Sequence, residues 1–143
     1  MNATKEFKAD LGLLVEAGLI AIKQGDEESA KRLFNAADIL DPGTTSASMG
    51  HGLIALHKMD IAEARKHFND ILQKEKENYR AKAFLAFTNV LSVLQDGSDE
   101  EKMEGLKRGA ELAQEVLDHC KEPSTRELAQ SLLDWENELQ KGE

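Results

Sequence analysis

Apolar residues recur along this chain at spacings of three and four, the period of helices that bury one face. The first such pattern is under way by Phe7 and runs through Leu11, Leu14, Val15, Gly18, Leu19 and Ile22. Gln24-Gly25-Asp26 interrupts it, Gly25 suiting the left-handed residue after a helix and Asp26 the cap of the next. A second pattern carries Ala30, Leu33, Phe34, Ala37 and Leu40 on one face and stops at Asp41-Pro42-Gly43. The third begins near Thr44 or Thr45 and passes through Met49, Gly52, Leu53 and Leu56 to a turn at Lys58-Met59-Asp60. Asp60 and Glu63 have the spacing of a capping box, with Asp in place of Ser or Thr. They open a fourth helix whose inner face is Ala64, Phe68, Ile71 and Leu72.

Beyond Lys76 the pattern loosens. A fifth helix holds Leu85, Ala86, Phe87 and Val90 and fails after Leu94, where Gln95 to Glu101 reads as an acidic, glycine-containing loop. Ser98 and Glu101 again have capping-box spacing, and the helix they open has Met103, Leu106, Ala110, Ala113 and Leu117 on one side. It stops before Glu122-Pro123. Ser124 with Glu127 caps a last helix, with the stripe Leu128, Leu132, Trp135 and Leu139. Arg126, Gln130, Asp134, Asn137 and Lys141 face away, as the end of a helical stack requires.

The first two helix pairs repeat each other. A shift of 34 residues lays Gly18 on Gly52, Ala21 on Ala55, Ala30 on Ala64 and Phe34 on Phe68, with Leu19 on Leu53 and Ile22 on Leu56. Small residues then Ala, Ala and Phe at this period are the signature of the tetratricopeptide repeat, which the chain resembles, down to the closing Pro42 of the first copy. A third copy matches in part, Leu85-Ala86 aligning with His51-Gly52, and Phe87 and Val90 with Leu53 and Leu56. The expected fold is therefore all-α, a tetratricopeptide-like α-solenoid of three helix pairs with a C-terminal capping helix, forming one domain over 1–143. Its repeats lie at about 11–44, 45–78 and 79–123, and the cap at about 124–141. Gly and Ala at the matched positions let paired helices approach, and Phe34 and Phe68 fill the hollows. Removing either ring should cost ~3–5 kcal/mol.

In the family this resembles, the first helix of each pair lines the concave side of the superhelix. By register the residues facing that groove are Val15, Leu19 and Ile22, then Met49, Leu53 and Leu56, then Ala83, Phe87 and Val90. All are apolar, and each such side chain left in water forgoes ~1.5–3 kcal/mol if it is large. A row this long calls for a cover: another protein, a second copy, or the amino-terminal segment. Relatives that grip the carboxylate tails of general chaperones use Asn and Lys at these positions. Here Val15, Leu19 and Leu53 stand where that clamp would sit, so the sequence departs from the carboxylate-clamp pattern. An apolar groove suits an amphipathic helix read through i, i+3, i+4 and i+7 anchors.

Charge and composition narrow the partners. A formal charge of −9 disfavours nucleic acid and anionic membranes. No basic start followed by an apolar core reads as a secretory signal, and no apolar run approaches the roughly 20 residues that span a bilayer. Cys120 is the single cysteine, so no disulfide framework or four-cysteine metal site is expected, and a reducing cytoplasm is the expected compartment. His51, His57, His67 and His119 lack the spacing of a helical metal site, and His51 occupies a hydrophobic position of the repeat. Adjacent His119 and Cys120 point in different directions from a helix, and Cys120 has no evident base. With no phosphate-binding glycine loop either, neither an enzyme nor a cofactor protein is expected.

In size and layout the chain is similar to the small tetratricopeptide chaperones of bacterial type III secretion. The needle-subunit branch is favoured by the short chain and apolar groove. That resemblance implies a partner, a secreted needle subunit whose amphipathic helix is held back from polymerising, together with a second small co-chaperone. The alternatives are a translocator chaperone of the same class and a generic homodimeric scaffold.

Overall fold

The same three backbone hydrogen bonds close the first two helix pairs. In the first turn Gln24 N–H donates to Ile20 O at 3.0 Å, Gly25 to Ile22 at 3.0 Å and Asp26 to Ala21 at 2.9 Å. In the second, 34 residues on, Lys58 donates to Ile54 at 3.1 Å, Met59 to Leu56 at 2.9 Å and Asp60 to Ala55 at 2.9 Å. Both turns need a left-handed residue, with φ +76° at Gly25 and +60° at Met59. For Met59 that conformation costs ~1–2 kcal/mol. The following caps repeat too: Asp26 accepts from Ser29 N–H at 3.1 Å, and Asp60 from Glu63 N–H at 3.2 Å. The sequence period is thus a period in backbone geometry.

A computed structural model describes the backbone of residues 2–42 and 45–141, with side chains from Asp10 onward in those ranges. The expected break at Gly43, a start at Thr44 and the Phe7 side chain lie outside the described residues. Among those described there are seven α-helices and no strand. They are α1 Asn2–Lys23, α2 Glu27–Leu40, α3 Thr45–His57, α4 Ile61–Lys74, α5 Tyr79–Leu91, α6 Asp99–His119 and α7 Pro123–Lys141. A 3₁₀ turn, Ser92–Leu94, follows α5. The chain divides into two compact units, Met1–His67 and Phe68–Glu143, with the boundary inside α4.

In the first unit α1, α2 and α3 pack on one another. Phe34 of α2 is fully buried at their meeting point. A Cβ on Gly18 of α1 would lie 2.7 Å from the ring, and one on Gly50 of α3 would fall closer still. One aromatic ring therefore occupies two glycine notches, one on each neighbouring helix. Ala21, Ala30 and Ile54 complete this core.

The second unit packs α5, α6 and α7 mutually, and reverses the arrangement. Here the glycines are on the second helix of the pair. A Cβ on Gly109 would come 2.7 Å from Val90 Cγ2 and 3.1 Å from Ala86 O. One on Gly105 would come 2.7 Å from Ser92 Oγ and 2.9 Å from Asn89 O. This close approach turns α6 away from the expected face: Leu106, Gly109, Leu112, Ala113 and Val116 are buried, Ala110 and Leu117 only partly, and Met103 is 49% exposed.

The face of α7 also differs, with Thr125, Ala129, Leu132 and Glu136 inside and Leu128, Trp135 and Leu139 half-buried. Its cap is Glu122 rather than Ser124. The Glu122 carboxylate accepts from Ser124 Oγ at 2.5 Å and Thr125 N–H at 2.6 Å. Those Ser124 and Thr125 hydrogen bonds draw its pKa down to about 2. Pro123 thus opens α7 at its first helical position, where a missing N–H costs nothing. Arg126 does not face away either: its guanidinium donates to Leu117 O at 2.6 Å and Cys120 O at 2.9 Å, tying off the carbonyl end of α6. Ser98 does cap α6 as expected, accepting from Glu101 N–H at 3.1 Å.

The notch on α3 sets a measurable contrast. Gly12 on α1 has open space around it, so Gly12→Ala should raise stability by about 0.5–1 kcal/mol through helix propensity alone. Gly50→Ala should instead lower it by ~1–3 kcal/mol, because the added carbon must displace the Phe34 ring. Urea unfolding midpoints of the two variants should move in opposite directions.

Candidate partner-binding surface

The residues expected to face a groove divide by burial, and each unit is described separately. On α1, Val15, Leu19 and Ile22 pack their inner sides against the cluster of Ala21, Ala30, Phe34 and Ile54 and keep part of their surface in solvent. On α3, Leu53 is also half-buried, whereas its neighbours along the same helix are nearly sealed, Met49 at 9% and Leu56 at 8% exposure. Because α1 packs on α3, the first unit presents Val15, Leu19, Ile22 and Leu53 as partly open apolar side chains. Ile22 shares a small pocket with Ile54, His57 and Lys58.

Of the three expected residues in the second unit, Ala83, Phe87 and Val90, only Phe87 keeps open surface, tilted against Trp135 of α7 with ring centroids 6.4 Å apart. Ala83 and Val90 are fully buried and present nothing to a partner. The cause is local: α5 is covered by both α6 and α7, and Val90 lies against the Gly109 notch.

Several apolar residues outside the expected row are more open than any in it. Leu13 is 64% exposed, Ile20 54% and Ile39 81%. For α1 the signal was in the sequence, since from Leu11 to Ile22 only Glu16 is charged, an apolar content too even for one buried face. In the second unit a cleft of about 670 Å³ separates parts of α6 and α7, lined by Met103, Ala110, Lys107 and several carboxylates including Glu104, Glu111 and Glu136. Glu136 is 7% exposed, and Gln140 Nε2 donates to its Oε1 at 2.5 Å.

His51 sits beside the Phe34 ring at 6.1 Å and the His67 ring at 5.8 Å. His67 in turn reaches Glu63 at 3.2 Å. His119 stacks on Tyr79, and Cys120 is buried at the end of α6. Among the described residues no group of three or more His, Cys, Asp or Glu is placed to hold a metal ion, and no helix is long and apolar enough to cross a membrane. No known protein family matches the chain, and no curated protein does.

Burial holds the His51 pKa below its ordinary 6.5, with the charges of His67 and Lys31 acting the same way and Asp38 opposing them. The folded state thus favours neutral His51, and its contribution is fully present above pH 6.5. As pH falls below that value the unfolded chain takes up the proton first, so stability should decline. Unfolding midpoints measured from pH 7.5 downward should fall in the wild type and fall less steeply in His51→Gln.

Proposed function

We propose that this chain is a binding protein that holds an amphipathic helix of another polypeptide on the apolar surface of α1 and α3. The observation carrying this reading is a set of partly open apolar side chains, Val15, Leu19 and Ile22 packed against the core of the first unit and Leu53 on the neighbouring α3. They already lose part of their hydration within the unit, and a partner's apolar stripe would remove the rest. Burial of the remaining area is favoured by roughly 25 cal/mol per Å². Side chains seated on a packed helix lose little further freedom when bound, which lowers the cost of association.

The 34-residue recurrence, carried into matching turns, supports a tetratricopeptide-like stack of helix pairs closed by α7. On that reading the chain acts as a small cytoplasmic chaperone resembling those of type III secretion. The helix it covers belongs to a needle subunit, alongside a second small co-chaperone. A polymerising helical subunit exposes the stripe through which it assembles, and occupying that stripe blocks assembly until export.

Affinity capture from the native cytosol tests this. Wild-type protein should retain a small helical subunit, while Leu53→Asp should weaken retention by at least about tenfold with the helical circular dichroism signal unchanged. Leu53→Gln, gentler on the fold, should show the same direction. Retention by both variants, or capture of a large membrane-inserting protein instead, would remove the needle-subunit reading.

A further inference from the structure

Helix α1 carries a second apolar strip that the proposed partner helix does not use. Leu13 and Ile20 are its most open members, at 64% and 54% exposure, with half-buried Ala17 between them and Gln24 one turn beyond. The spacing of four and three residues from Leu13 to Ile20 is that of a coiled-coil seam just over one heptad long, ending before the polar Gln24 in the turn after α1. By helical geometry Gly12, Glu16 and Lys23 occupy the arc between this strip and the row Val15, Leu19 and Ile22. The two strips are therefore separate faces of one helix.

We propose that this strip docks a second copy of the chain, the two α1 helices running antiparallel about a two-fold axis. The charges beside the seam identify the occupant. Glu16 immediately precedes the seam residue Ala17 and Lys23 follows seven residues later, so both lie on the same flank of α1 and are opposite in sign. In an antiparallel pair that flank faces its own counterpart with direction reversed. Glu16 then meets Lys23 of the second copy, and the symmetry repeats the pair. A parallel pair would set the same flank against Leu14 and Ala21, where no charge answers. The antiparallel register also places small Ala17 opposite bulky Ile20, twice, so that each knob finds room. A surface complementary to itself in both shape and charge is what an isologous interface requires.

The seam is short, and two copies each carrying −9 repel one another, so the dimer should be weak. An interface below the roughly 1,200 Å² of a standard complex is typical of such associations. Sedimentation equilibrium of the full chain should show reversible dimerisation in the high-micromolar range. Glu16→Lys alone and Lys23→Glu alone should each weaken it about tenfold, since two attractions become two repulsions. The double variant Glu16→Lys/Lys23→Glu should return it to within about threefold of wild type, and Leu13→Glu/Ile20→Glu should abolish it. All of these positions except Lys23 are well inside α1, and circular dichroism would check that each variant stays helical. A wild type that remains monomeric overturns the proposal, whether or not another protein covers the strip. So does a dimer indifferent to the single reversals, or one that the double swap fails to restore. Because the readout is self-association, its failure leaves the partner-helix reading intact, and the converse also holds.

Discussion

The Phe34 ring is held in a space that only two missing side chains provide. Gly18 on α1 and Gly50 on α3 leave hollows on either side of α2, and the ring fills both without solvent exposure. A buried aromatic is worth several kcal/mol only when its walls are close, because dispersion falls steeply with distance. The mutual orientation of α1, α2 and α3 is therefore set by one side chain and two absences. In the second unit the same device is reversed, with Gly105 and Gly109 of α6 receiving the backbone and Val90 of α5. That pair needs no Phe, because its helices already touch nearly backbone to backbone.

Such packing has a consequence for function. A helix that spends its small residues on close contact must place its larger ones to the side. Among the described side chains of α1 the buried positions are Gly18 and Ala21, while Val15, Leu19 and Ile22 lean on the core from one flank and Leu13 and Ile20 stand clear on the other. Apolar surface is thus left over on both flanks by the geometry that makes the core tight. The two flanks are the places of the two covers proposed above, a foreign helix and a second α1. α5 lacks this property, since α6 and α7 already enclose Ala83 and Val90.

What could be read from the sequence was local or periodic. Gly25, Asp26, Asp60 and Ser98 were legible because a turn or a cap is decided within three or four residues. Seven helices and their order followed from the 3.6-residue period. The face of α6 was not legible, because Gly105 and Gly109 carry no hydrophobic signal although they set how closely α5 and α6 approach. Gly50 was hidden for a related reason: the repeat directs attention to Gly52, the match of Gly18, while the ring needs both sides. Pro123 reads equally well as the end of one helix or the first residue of another, and the Glu122 carboxylate decides between them. For the candidate surface, register placed nine residues on one side of their helices, but register does not say what lies across from them. Burial of Ala83 and Val90 depends on α6 and α7, which no 34-residue comparison includes.

The proposal that a partner's helix rests on α1 and α3 is tested most directly by methyl NMR of the chain, free and in the presence of the amphipathic helical partner recovered by affinity capture. The account predicts that the methyl signals of Val15, Leu19, Ile22 and Leu53 shift together on binding, while those of the buried Val90 and Val116 stay in place. Shifts confined to α6 and α7, with those four methyls unmoved, would contradict it.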